Sequence, residues 1–353
     1  MTSTALQRDA LIRQMICPAP SAPAPRLWCP PITHYAEDGR IDTGRMRAHW
    51  QTMVDSVGGF LVPGSTGEAW DMTAAEVSEL VSTALDLATA LDTRILIGVL
   101  RPTVDEMHAG IAEAVATAQA VTGMSDPLAA LRERHIAGFT VCAPTGAGLD
   151  QATIKAGLES ILNLGLPTAI YQLPQVTRNE ISPEVFDDLA ARFPNLMLFK
   201  DTSGADVVPL ADRGKRGVFL VRGAEGGYAT WLKESGGPYR GFLLSTANGF
   251  ARELRQVIAL LEADETAGAT ALSDRLDAAV GAAFAAVRSV PQGNAFANAN
   301  KAIDHFMAHG PDAADTSAPL LHGGARLPAN VIGEVGAVLK KAGFLPATGY
   351  LKA

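Results

Sequence analysis

The feature that most constrains this chain is a regular alternation of short apolar runs with longer segments of helical periodicity. The apolar runs are rich in β-branched residues, as strands are. They cover residues 26–33, 59–63, 94–99, 137–143, 168–172, 196–200, 217–222 and 240–245. Alternating strands and helices predict a parallel sheet, and eight strands are enough to close a barrel. We therefore predict an α/β fold, a (β/α)8 TIM barrel.

Outside this pattern the two ends of the chain have different signals. Before residue 26, a short helical segment (4–15) precedes a Pro/Ala linker. After about residue 263 the strand signals stop, and Ala-rich segments predict an appended C-terminal helical domain. The predicted division is thus 1–25 for the N-terminal helix and linker, 26–262 for the catalytic barrel and 263–353 for the C-terminal helical domain. The predicted helices are 43–57, 73–91, 103–122, 150–164, 182–192, 206–213, 227–235, 247–262, 264–288, 298–309 and 328–342, with 123–135 as an insertion.

Composition excludes several classes of protein. A net charge of −8 argues against a nucleic-acid surface, which needs clustered Lys and Arg. The three cysteines have no metal-ligand spacing and cannot form a disulfide framework, which favours a reducing, cytoplasmic setting. No apolar stretch approaches the ~20 residues of a membrane span. His305 and His309 have i, i+4 spacing but no H-E-x-x-H pattern, so we expect no metal site.

Lys200 is the most informative single residue. Active sites of such barrels lie at the carboxyl ends of the strands, and Lys200 closes the apolar run 196–199. Removal of a lysine from water lowers its pKa from ~10.4, and the free amine can then form an imine with a ketone. The alternative is that Lys200 lies past the strand and reaches solvent or pairs with Asp201.

Two further strand ends carry groups suited to chemistry. The Gly64-Ser-Thr-Gly67 turn offers hydroxyls and backbone N–H groups that suit a carboxylate or phosphate, or else it is a tight turn with Thr66 as a local cap. Tyr171 ends the fifth run with a phenol that can donate or accept a proton, although an aromatic residue there also serves packing.

Taken in order, these strand ends resemble the dihydrodipicolinate synthase / N-acetylneuraminate lyase family of pyruvate-dependent lyases (class I aldolases). The resemblance covers residues 26–262. It is carried by the segments 33–42, 64–68 (Gly-Ser-Thr-Gly-Glu), 171–177, 199–204 (Phe-Lys-Asp-Thr-Ser-Gly) and 241–248.

The resemblance implies a role for each matching residue. Lys200 would form a Schiff base with the ketone of pyruvate or another 2-oxo acid, and Tyr171 would relay protons. Gly64, Ser65 and Thr66 would hold the substrate carboxylate. The positions that would line the distal part of the substrate site are Gly223, Glu225 and Ser245. The covalent imine would need no cofactor and no metal, and the partners would be pyruvate with an aldehyde or sugar acid, in a homodimer or homotetramer.

Departures from the family pattern bear on the substrate. Dihydrodipicolinate synthases carry an arginine where this chain has Val176, and paired tyrosines where it has Thr145-Gly146. Loss of that arginine removes a bidentate carboxylate clamp, which argues against a role in lysine biosynthesis. Trp70 could form an aromatic wall, so an aromatic or deoxy-sugar 2-oxo acid fits the sequence.

Three functional alternatives remain beside a carbon–carbon lyase. One is a dehydratase or hydratase of a 2-oxo-3-deoxy sugar acid that uses the same imine. Another is a non-catalytic 2-oxo-acid-binding barrel, which the retention of both Tyr171 and Lys200 disfavours. A metal-dependent class II lyase is disfavoured because His and carboxylate ligands do not converge at the strand ends.

Overall fold

A computed structural model describes residues 2–17, 19 and 21–352 of the chain. Its sheet has eight parallel strands: β1 Leu27–Trp28, β2 Phe60–Val62, β3 Ile95–Gly98, β4 Ile136–Cys142, β5 Thr168–Gln172, β6 Leu196–Asp201, β7 Phe219–Arg222 and β8 Gly241–Leu243. From β2 to β8 each strand pairs with the next, and β8 pairs with β1. A parallel bridge between Cys29 and Phe60 joins β1 to β2 and closes the ring. The predicted barrel is confirmed.

Helices follow the strands as the periodicity predicts. In the described part of the chain they are α1 Ser3–Met15, α2 Thr43–Met53, α3 Ala74–Ala90, α4 Val104–Thr122, α5 Pro127–Glu133, α6 Gln151–Leu162, α7 Pro174–Thr177, α8 Pro183–Arg192, α9 Val207–Asp212, α10 Ala247–Glu262, α11 Thr266–Ala286, α12 Ala295–His309 and α13 Ala329–Ala342. Caps are set by local sequence: Thr73 and Glu76 form a capping box at α3, and Asp42 caps α2. None of the described helices is both long and apolar enough to cross a membrane.

One local prediction needs correction. The segment 227–235 is not an α-helix and holds only a 3-10 turn, Lys233–Ser235. Gly226, Gly227 and Gly236 around it have positive φ angles, which a right-handed helix cannot contain. The segment 123–135 lies between α4 and β4, as the sequence predicts, and within it Asp126 caps helix α5 and Pro127 opens it.

Helix α1 covers the bottom of the barrel. Its Arg8 is fully buried and donates to the main-chain oxygens of Leu196, at the start of β6, and of Ala190 and Phe193. Of the predicted linker that follows, Pro18 and Pro20 lie outside the described residues.

The C-terminal helices lie over the opposite end, where the strands finish. Asn294 donates from its side chain to the Ser65 carbonyl oxygen, and Asp277 in α11 accepts from the Gly227 amide. Their apolar faces belong to the same core as the barrel, through buried residues such as Leu276 and Ile303. Residues from the last part of the chain therefore cover the end of the barrel at which the strands finish, which is its mouth.

Candidate active site

Lys200 lies inside the barrel near the end of β6. In the strand register it is level with Tyr171 on β5 and Val221 on β7. Its side chain is 4% exposed, and its Nζ lies 4.0 Å from the centroid of the Tyr171 ring. The neighbouring Asp201 accepts a hydrogen bond from the Ser203 amide instead. Lys200 is therefore a buried amine against an aromatic face.

Burial changes the protonation of this amine. Because desolvation penalises the ammonium form, the pKa of Lys200 falls from 10.5 to about 7, although Cys142, Glu225 and Cys29 act in the opposite direction. A large fraction of the amine is then uncharged near neutral pH. An uncharged amine is the nucleophilic form.

Gly223 makes room for the lysine side chain. A Cβ added at this position would lie 2.6 Å from Lys200 Cε and 2.5 Å from Thr202 Cγ2, closer than real Cβ contacts. The residue follows β7, and its amide donates to the Asp201 carbonyl oxygen. The structure thus places Gly223 directly against the amine-bearing chain.

Tyr171 brings a protonated phenol to the same point. Burial raises the pKa of Tyr171 and Cys142 adds to the rise, whereas hydrogen bonding to the Thr202 and Ser65 hydroxyls opposes it. The Lys200 amine faces the Tyr171 ring, and the Thr202 and Ser65 hydroxyls lie near the phenol. Lys200, Tyr171 and Ser65 are therefore brought together, as the sequence predicts.

Residues 64–68, here called the cradle loop, form a compact turn after β2. The Gly64 carbonyl oxygen accepts from the amides of Gly67 and Ala69. The amides of Ser65 and Thr66 donate to no acceptor within residues 2–17, 19 and 21–352. Two adjacent free amides beside a hydroxyl can bind a carboxylate.

Trp70 holds the cradle loop from one side. Its Nε1 donates to Ser65 Oγ at 2.9 Å, which leaves the Ser65 hydroxyl proton free for another acceptor. Trp70 and Val176 also pack against the apolar cluster that contains Tyr171. Trp70 and Val176 thus form one apolar side of the cluster around Tyr171.

Glu225 and Ser245 contact each other. The Glu225 carboxylate accepts from four donors: the hydroxyls of Ser245, Thr246 and Tyr228 and the amide of Thr246, at 2.6–3.1 Å. Each oxygen has two of these donors, so the carboxylate is saturated by the protein. Both predicted residues thus lie near the mouth of the barrel, engaged with one another.

Helix α12 contacts the cradle loop, which was not predicted from the sequence. Lys301 forms a buried ion pair with Glu68 of the cradle loop, 233 positions away in the chain. The available signal was the density of polar residues in an Ala-rich helix: Asn298, Asn300 and Lys301 are all buried. A pattern of this kind indicates buried partners but does not name them.

One cluster of potential metal ligands lies behind the site. His34, His49 and Asp304 are close enough to share an ion. Each is already engaged: Arg45 Nη2 donates to Asp304 at 2.7 Å, and His49 Nε2 lies 2.8 Å from the Asn248 carbonyl oxygen. Burial lowers the pKa of both histidines, which favours their neutral forms. Neutral His49 then donates to Asn248 and accepts from His34 at 3.1 Å, so we interpret the cluster as a hydrogen-bond network.

His305 and His309 lie one turn apart on α12, with ring centroids 5.0 Å apart. The Nε2 of His305 is 2.7 Å from the Ala313 carbonyl oxygen, an ordinary hydrogen bond.

Comparison with known proteins places this barrel in a class of lyases. The model of the dihydrodipicolinate synthetase family matches residues 24–293. The chain belongs to that family. No curated protein matches it.

Solved structures share the fold at low identity. A prophage protein of the dihydrodipicolinic acid synthase family from Escherichia coli, YagE in complex with pyruvate, is 16% identical, with a TM-score of 0.71 over 90% of this chain and 99% of that one. CdNal from Clostridium difficile, in complex with mannosamine, is 15% identical, with a TM-score of 0.70 over 90% and 99%. A Sulfolobus 2-keto-3-deoxygluconate aldolase is 14% identical, with a TM-score of 0.66 over 90% and 96%. Because the sequence identities are this low, the similarity to these structures establishes the fold alone.

Proposed function

We propose that this protein is a pyruvate-dependent class I aldolase in which Lys200 forms the imine. The observation that supports this most directly is the buried amine of Lys200, with a pKa of about 7, against the protonated phenol of Tyr171. Membership of a family of lyases agrees with it.

In the proposed chemistry the cradle loop, Lys200 and Tyr171 each have a separate role. The cradle loop binds the substrate carboxylate, and the Lys200 amine attacks the C2 ketone. Loss of water gives an iminium ion, an electron sink that allows C3 to lose a proton. The resulting enamine attacks the carbonyl carbon of an aldehyde, whose oxygen takes up a proton. Water then hydrolyses the new iminium ion and releases the product and the Lys200 amine, and the reverse sequence cleaves the bond. Tyr171 carries protons to and from the oxygen that leaves C2.

A cavity beside this site bears on the second substrate. It has a volume of about 440 Å³ and lies between Gly223 and Glu225 on the barrel and Val280, Phe284 and Phe296 on the C-terminal helices. The two phenyl rings meet edge to face, with centroids 5.7 Å apart.

Part of the polar lining of this cavity is already engaged, whereas Asp277 Oδ1 has no hydrogen-bond partner among the described residues. The Thr202 hydroxyl donates to the Gln172 carbonyl oxygen, the Gln175 side chain donates to the Thr202 carbonyl oxygen, and Glu225 is saturated. On the side formed by Phe284 and Phe296, a polyhydroxylated chain would lose hydrogen bonds to water that the rings cannot replace. We infer that the second substrate is an aryl or otherwise apolar aldehyde.

The first test is reductive trapping with pyruvate. Cyanoborohydride should fix pyruvate to Lys200, as shown by peptide mapping, because reduction makes the imine irreversible. The labelling rate should rise about tenfold per pH unit below pH ~7 and level off above it, since only the uncharged amine attacks. Lactate, which has no ketone, is the control. Labelling spread over surface lysines, or a rate still rising near pH 10, would refute the proposal.

The second test compares aldehydes. With pyruvate present, we expect kcat/KM for benzaldehyde to exceed that for glyceraldehyde, and Phe284→Leu and Phe296→Leu to lower this ratio by about threefold to tenfold, because each loses a stacking ring. Phe344→Leu, which removes a ring packed against Phe250 instead, should leave the ratio unchanged. A preference for glyceraldehyde in the unmodified protein would overturn the inference. Product analysis with a 2-oxo-3-deoxy sugar acid as the substrate separates the dehydratase alternative, which consumes that acid without forming an aldehyde.

A further inference from the structure

We propose that the C-terminal helix α12 and the loop after it hold the cradle loop in its binding conformation through a buried ion pair between Lys301 and Glu68. The inference rests on the proposed function, because it concerns the same carboxylate-binding loop. It makes Lys301, Glu68 and Asn294 positioning residues for the substrate, although none of them belongs to the reacting groups.

Glu68 is the point at which the cradle loop is fixed. It ends the loop with a φ of 66°, a left-handed conformation that costs a non-glycine residue energy and persists only where the surroundings enforce it. Its side chain is fully buried. Oε2 accepts from Lys301 Nζ at 2.5 Å, and Oε1 accepts from the His322 amide at 2.8 Å. The carboxylate thus joins the loop to two separate parts of the C-terminal segment.

The side chain of Lys301 is held by contacts with Glu68, the Leu320 carbonyl oxygen and the Tyr35 ring. Its side chain is 1% exposed, and its ammonium donates to the Leu320 carbonyl oxygen at 2.8 Å as well as to Glu68. It also faces the Tyr35 ring, with Nζ 4.5 Å from the centroid. A buried cation with these contacts restricts where the Glu68 carboxylate can lie.

A second contact reaches the same loop from the start of α12. The side-chain amide of Asn294 donates to the Ser65 carbonyl oxygen at 3.0 Å, while its oxygen caps the helix by accepting from the Ala297 amide. The Ser65 carbonyl belongs to the peptide unit that also carries the Thr66 amide. Its orientation therefore sets the direction of one of the two free amides.

The ion pair also neutralises the negative charge of Glu68 beside the proposed carboxylate site. A substrate carboxylate on the cradle loop would lie near the buried Glu68 carboxylate, and two like charges repel strongly where water is scarce. Lys301 neutralises Glu68, so the loop presents amides and hydroxyls to the anion without opposing charge. Geometry and electrostatics therefore both require the C-terminal segment.

The test measures pyruvate binding separately from imine chemistry. Variants Glu68→Gln, Lys301→Met, their double combination and Asn294→Ser are trapped with cyanoborohydride over a range of pyruvate concentrations. We expect the half-saturating pyruvate concentration to rise about tenfold or more, since small displacements of positioning groups have effects of that size. The trapping rate at saturation and its pH profile should stay within about threefold, because Glu68 and Lys301 are not among the groups that set the pKa of Lys200.

Several variants guard against a merely structural effect. Asp304→Asn alters a buried carboxylate on the same helix that contacts Arg45 and Tyr350 but not the cradle loop, and it should leave half-saturation unchanged. If the single variants do not fold, the double variant leaves no unpaired buried charge, and Asn294→Ser keeps a capping side chain. Half-saturation within twofold of the unmodified protein in any folded variant of the pair would overturn the proposal.

A second readout separates this proposal from the proposed function. Amide hydrogen exchange at residues 64–68 should accelerate in the Glu68, Lys301 and Asn294 variants but not in Asp304→Asn. If pyruvate labels no lysine in the unmodified protein, the proposed function fails, and the exchange data still test the positioning. If labelling occurs but exchange and half-saturation are unaffected, only the positioning role is refuted.

Discussion

Replacement of Lys200 by methionine is expected to abolish pyruvate trapping and at the same time to stabilise the fold. Methionine has a similar length and fills the same buried space without an amine to desolvate. Because the pKa of Lys200 falls from 10.5 to about 7 on folding, the free energy of unfolding should rise by roughly 2–4 kcal/mol at pH 7. A variant that is both inactive and more stable is typical of a group kept for function.

The gain in stability of Lys200→Met should depend on pH in a defined direction. A lysine whose pKa is lowered in the folded state destabilises the fold fully below its folded pKa, and this cost disappears as the pH rises past its unfolded pKa. The gain from Lys200→Met should therefore be largest at pH ~7 and below, and vanish near pH ~10.5. Urea unfolding at several pH values measures it, with the exposed Lys341→Met as the matched control. Destabilisation at pH 7, or a gain that persists at high pH, would contradict a desolvated amine.

Tyr171→Phe should lower turnover by about 10²- to 10⁴-fold with little change in stability. The phenyl ring still packs against Lys200, so the surroundings of the amine are retained. What disappears is the phenol, which burial keeps protonated near the Thr202 and Ser65 hydroxyls.

Deuterium exchange at C3 of pyruvate measures this effect without knowledge of the aldehyde. Exchange reports formation of the enamine, and mass spectrometry follows it in deuterated water. Lys200→Met supplies the zero level, and Phe344→Leu controls for loss of an aromatic contact elsewhere. Exchange in Tyr171→Phe within about threefold of the unmodified protein would show that another group relays the proton.

Much of this molecule is determined by local sequence. Strand and helix alternation depends on the periodicity of side chains, and capping at Thr73 and Glu76 depends on residues three positions apart, so both can be predicted without any tertiary contact. Lys200, Tyr171 and the cradle loop could be chosen because each follows a strand, and all parallel strands of a closed barrel finish at one end. The failed helix at 227–235 shows the limit of this approach: its apolar pattern did not outweigh the glycines around it.

Which residues from distant parts of the chain contact the site depends on tertiary packing. The pairing of Glu68 with Lys301 and the contact of Asn294 with Ser65 join residues more than 200 positions apart, and the saturation of Glu225 depends on how the ends of β7 and β8 meet. A helical pattern shows that one face of α12 is buried, but the partner on that face depends on how the helix packs. Local sequence is therefore enough to predict the barrel and to select Lys200 as the lysine at a strand end. The contacts of the C-terminal segment with the cradle loop depend on packing, because contacts between residues so far apart in the chain produce no periodic pattern in the sequence.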